Sequence, residues 1–119
     1  MWQGINQRKF PRVSYKCLIR ISTDSEEVVI DTFTENLGVG GICVALDKDF
    51  GLFEKVDLEI FLSGKETPIH CSGSIVWVVK RHATTGAETD SFDTGIEFVD
   101  VSEADLEQIQ ALVENILNT

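Results

Sequence analysis

Arg8 and Arg12 are the side chains best suited to grip an anion, and they stand four residues apart around Lys9, Phe10 and Pro11. Pro11 has no N–H, fixes its own φ and pushes Phe10 out of the helical region, so both arginines sit on an extended segment. A guanidinium pairs with carboxylate or phosphate bidentately, and its flat face stacks on rings and bases. Residues 1–23 carry five basic residues and no acidic one. The rest of the chain carries five basic and 20 acidic residues, for a net charge of −10. A field that acidic holds DNA, RNA and anionic lipid away, so the local basic cluster points to one bounded anionic ligand. A solvated basic terminus that touches nothing is the other reading of the same residues.

The second unusual stretch is Asn36-Leu37-Gly38-Val39-Gly40-Gly41. A β-turn requires one glycine, or two at most. Three in four residues indicate a backbone that something approaches closely, or a wide turn followed by a bulge. Nothing comparable points to catalysis. His70 lies on the polar phase of a strand pattern, His82 lies in a polar loop, and no serine or cysteine has an elbow-like setting. Cys17, Cys43 and Cys71 lack C-x-x-C spacing and read as small buried hydrophobes in a reducing compartment. The longest apolar run, near Ile75–Val79, is too short to span a bilayer, and no leader is visible. The expectation is a cytoplasmic, non-enzymatic protein without a metal or cofactor and without membrane insertion.

The elements that would position these residues are mostly strands. Residues 1–12 form an arm. Val13 to Ile21 alternate as a first strand interrupted at Leu18, and Val28–Thr34, Ile42–Leu46 and Val56–Leu62 supply three more. Ile69 to Val79 is the fifth, with Gly73 marking a bulge or bend. Its phase groups Trp77 with Ile69, Cys71 and Ile75, as a core side chain. A polar loop covers 80–93, and Thr94–Val99 is the sixth strand. The period then changes: Ser102 is an N-cap with Asp105 three residues on, and Leu106, Ile109, Leu112, Val113, Ile116 and Leu117 form one helical stripe. One domain, 13–119, is expected: a six-stranded antiparallel barrel or sandwich with a C-terminal helix.

In this order the two stretches resemble those of PilZ domains. That family has R-x-x-x-R before its first strand, matched by Arg8 and Arg12, and then [DN]-x-S-x-x-G, matched by Asn36 through Gly41. Ser74-Ile75-Val76-Trp77, Gly95-Ile96-Glu97-Phe98 and the final helix also fall in the family's order. The resemblance implies a six-stranded antiparallel β-barrel with a C-terminal α-helix, and a bacterial receptor for cyclic di-GMP that signals to a protein effector. It implies that Arg8 and Arg12 grip phosphate or a guanine edge, and that Asn36 accepts from the guanine amino group. Gly41 would let the backbone come close, with Lys9 as a looser charge. It also allows Trp77 a place at the barrel rim beside the nucleotide. Gly38 departs from the pattern, standing where the family has serine. That missing hydroxyl keeps a second reading open, a PilZ domain that serves as a protein–protein adaptor without nucleotide.

Overall fold

The computed structural model describes residues 12–23, 28–82 and 90–118. Arg8, Lys9 and the rest of the arm before Arg12 lie outside those residues. The strands are β1 (Arg12–Ser14), β2 (Leu18–Thr23), β3 (Val28–Gly38), β4 (Gly41–Leu46), β5 (Lys55–Phe61), β6 (Ile69–Arg81) and β7 (Ser91–Asp100). A helix, α1 (Glu103–Leu117), follows them. All strand pairs are antiparallel, in the order β3–β2–β5–β6–β7–β4, and a β3–β4 pairing closes the ring into a six-stranded barrel. Among the described residues closure leaves no long unpaired edge.

Alternation sets which side chains fill the barrel. Ile19 and Ile21 of β2, Val56, Leu58 and Ile60 of β5, and Ile69, Cys71 and Ile75 of β6 face inward and are buried. Ile42 and Val44 of β4 and Ile96 of β7 complete the ring. Gly73 belongs to this inward set, and a Cβ there would press on Ile96 and Leu58. Burying one such aliphatic side chain is worth about 1.5–3 kcal/mol, so the inward set dominates the stability of the fold. The three cysteines are free and buried.

Four expectations are corrected in detail. The first strand is two pieces, β1 and β2, lying end to end along one edge of β3. Three residues between them, Tyr15 to Cys17, oppose only Thr34 and Glu35, because Ser14 pairs with Asn36 and Leu18 with Phe33. Thr34 stitches this break: its Oγ1 accepts from the Cys17 amide (3.0 Å) and donates to the Tyr15 carbonyl (2.7 Å), and its own amide donates to the Cys17 carbonyl. Second, the 80–93 loop is shorter, since Lys80 pairs with Phe92 and Arg81 with Ser91. A backbone ladder continues there without any apolar alternation to announce it. Third, a register shift between Ile75 and Trp77 makes Val76 an extra residue, so Val78, not Trp77, packs against the core. Fourth, Leu117 is 55% exposed, at the frayed end of the helix stripe.

The helix begins as its sequence indicates, with the Ser102 hydroxyl accepting from the Asp105 amide. Ile109 and Val113 are its buried residues, and it packs on β1 and β3. Among the described residues no helix is long and apolar enough to cross a membrane.

Candidate functional site

The two sequence stretches meet on the outside of the barrel. Cross-strand partners place Ser14, Asn36, Cys43, Gly95 and Trp77 in one row, running over β1, β3, β4, β7 and β6. Their chain neighbours Val13, Leu37, Ile42 and Ile96 are buried in the core, so this row faces outward. In the next row Arg12 lies opposite Gly38. Arg12 therefore belongs to the rim of the barrel and not to the arm.

Two bulges build this surface. The shift in β3–β4 pairing makes Glu35 an extra residue, so Asn36 faces outward while Thr34 and Leu37 stay buried. The shift at Val76 turns Trp77 outward, where its indole lies directly on Gly95 and fills the space a Cβ would occupy. A flat aromatic plate thus rests on the backbone of β7, one strand from Cys43 and two from Asn36.

Asn36 carries the clearest sign of an unmet interaction. Its side-chain oxygen is buried and accepts no hydrogen bond among the described residues. Leaving such a group unsatisfied costs about 1–3 kcal/mol, and native folds rarely do so without a reason. Gly38 sits in ordinary strand backbone, because the left-handed glycines among the described residues are Gly51 and Gly64. Gly41 is different: a Cβ there would collide with the Ile96 carbonyl, so the room its missing side chain leaves is filled by β7.

Cys43, at the centre of the row, is held as the protonated thiol. Burial, first, and then the carboxylates of Glu35 and Asp93 push its thiol up to about 12, with Arg12 opposing them. Its Sγ donates to Glu35 Oε1 at 3.5 Å. Asp93 is buried on β7 and accepts from Nε of Arg81 on β6. That hydrogen bond, first, and the charge behind it raise the arginine's pKa. Sequence alone places Arg81 and Asp93 in the polar loop. Their opposite charge at the two ends of the polar stretch is the signal, since a longer hairpin brings them together.

The surface has an aromatic plate, an amide acceptor without a donor among the described residues, and guanidinium groups on either side of Cys43. It can stack a planar base, accept from an exocyclic amino group and pair with anionic oxygens.

No curated protein matches the chain. Among solved structures it is similar to the inhibitor of motility MotI/DgrA of Bacillus subtilis, with a TM-score of 0.74 and 19% identity. That alignment covers 94% of this chain and 52% of the other, so this chain spans about half of MotI. It is similar to the PilZ domain of YcgR from Escherichia coli, whose structure holds c-di-GMP, with a TM-score of 0.72, 14% identity and coverage of 94% and 92%. The PilZ domain of CeSA from a cellulose synthesizing bacterium matches with a TM-score of 0.59, 16% identity and coverage of 89% and 97%. At these identities the likeness is one of fold. The PilZ domain family matches over residues 6–115, a span that includes both arginines, the glycine turn, Trp77 and most of α1, and the chain therefore belongs to the PilZ domain family.

Proposed function

We propose that this protein is a bacterial, cytoplasmic receptor for cyclic di-GMP that binds the dinucleotide on the outer barrel face and signals to a protein effector. The observation that carries the reading is the buried Asn36 oxygen, unpartnered among the described residues, in the same outward row as Trp77 and one row from Arg12. A guanine amino group is a donor suited to that oxygen, and a guanine ring is a planar face suited to the indole. The c-di-GMP held by the YcgR PilZ domain, a relative in fold, supports the same choice of ligand.

In this reading Arg12 pairs with phosphate or the guanine O6/N7 edge from the barrel rim. Arg8, with Lys9 as a point charge, reaches the same ligand from the arm that precedes Arg12. The barrel and helix, residues 13–119, form the scaffold. Binding changes the contacts of the arm and so the surface an effector meets.

Titration calorimetry with cyclic di-GMP tests the reading, reporting affinity and stoichiometry together. Arg8→Ala and Arg12→Ala are each expected to cost about 1.5–3 kcal/mol of binding, the range for hydrogen bonds to charged groups. Unchanged binding in both variants would refute it. The adaptor reading draws on Gly38, which lacks the family's hydroxyl, and on the two carboxylates, Glu35 and Asp93, on the same face. It expects no nucleotide binding by a folded protein.

A further inference from the structure

We infer that Arg81 is a third arginine of the ligand site, held in place by Asp93. This rests on the reading of the outer face as the cyclic di-GMP site. Arg81 lies on β6 four residues beyond Trp77, and on the same outer side of the strand. The Arg81 side chain is 67% exposed, whereas that of Asp93, which receives its Nε, is only 10% exposed. The arginine is thus anchored at Nε by a carboxylate fixed in the sheet. Its two terminal nitrogens make no hydrogen bond or ion pair among the described residues. A guanidinium gripped by one edge presents the other as a preset fork for an anion's oxygens, with little further ordering required on binding.

The simpler account is that Arg81 only neutralises a buried carboxylate. The charge balance of the face argues for more. Glu35 and Asp93 both act on the Cys43 thiol, Arg12 opposes them there, and Arg81 interacts with Asp93, Glu35 and Cys43. A ligand with two phosphates that settles on Trp77 and Asn36 meets these two carboxylates and that of Glu97, two residues beyond Gly95 on the same side of β7, and Arg12 answers only one of them. Without Arg81 the described part of this face would be net negative and would repel the ligand it is built to stack. Arg81 offsets a second of these carboxylates and offers donors on the flank opposite Arg12.

Calorimetric titration of the full chain with cyclic di-GMP tests the inference on the wild type and on Arg81→Ala, Arg81→Lys, Asp93→Asn and Arg12→Ala. Arg81→Ala should weaken binding about ten- to a hundredfold. Arg81→Lys keeps the charge beside Asp93, and with it the fold, but loses the fork; it should still bind about tenfold more weakly. Asp93→Asn gives the decisive sign. It removes a negative charge near a dianion, so a merely repelling Asp93 would give tighter binding in the variant. If Asp93 positions Arg81, binding weakens instead. Melting of each variant without ligand identifies any that are unfolded, and Arg81→Lys then carries the test. Weaker binding in Arg12→Ala with unchanged binding in both Arg81 variants, or tighter binding in Asp93→Asn, overturns the role of Arg81 alone. A folded wild type that does not bind overturns the receptor reading and this inference together.

Discussion

At the scale of single residues the site is polar at its edges and inert at its centre. Cys43 is pushed up to about 12 and Cys71 to about 11, in both cases chiefly by burial. A thiol whose pKa rises on folding stays protonated in the native state, while the unfolded chain releases its proton near the ordinary thiol value of 9.0. The stabilisation is therefore complete below pH 9 and is lost as pH rises towards about 12. Urea midpoints are expected to fall steadily above pH 9, and Cys43→Ala should flatten that decline. Gly38 offers a sharper functional test, because its extended backbone accepts a side chain without left-handed strain. Gly38→Ser places a hydroxyl opposite Arg12, where the family has one. Affinity for cyclic di-GMP should rise about fivefold, the equivalent of one neutral hydrogen bond of ~1 kcal/mol. The melting temperature should stay unchanged, and equal affinity in the two proteins would remove the hydroxyl from the account.

At the scale of elements, β3 organises the molecule, since β1 and β2 share one of its edges and β4 takes the other. Thr34 sits where both pairings slip, and its hydroxyl holds Tyr15 and Cys17 against the strand. Thr34→Val keeps the shape but strands the buried Cys17 amide, and a loss of about 1–3 kcal/mol in urea unfolding is expected. The same slips mark the limit of what the sequence discloses. Strands with one buried face, such as Val56–Leu58–Ile60, are legible because period 2 maps directly onto inside and outside. An extra residue leaves the apolar letters in place yet reverses the faces beyond it, and this is why Trp77 reads as core and lies outside. The arginine pair and the Asn36 turn were legible by type and spacing. The Arg81–Asp93 pair was not, because it depends on where β6 and β7 stop. The N-cap at Ser102 was legible because capping is local chemistry.

At the scale of the whole molecule, the barrel is a ring of hairpins joined at two distant seams. β2–β3, β3–β4, β5–β6 and β6–β7 join neighbours in the chain, whereas β2–β5 and β4–β7 do not. The β4–β7 seam, with Gly41 opposite Glu97, spans the longest stretch of chain. Closing it carries the largest loop entropy for the least local gain, so folding is expected on the millisecond-to-second scale of non-local β proteins. The absence of a side chain at Gly41 then has a kinetic meaning. It is the clearance that lets the ring shut after its arcs have formed. Gly41→Ala should destabilise by about 1–3 kcal/mol through overpacking. If the seam forms after the rate-limiting step, stopped-flow measurements will find nearly all of that loss in faster unfolding, with refolding unchanged. Slower refolding would place closure in the nucleus. In the first case the native lifetime of the protein, as distinct from its affinity for any ligand, is set at this seam.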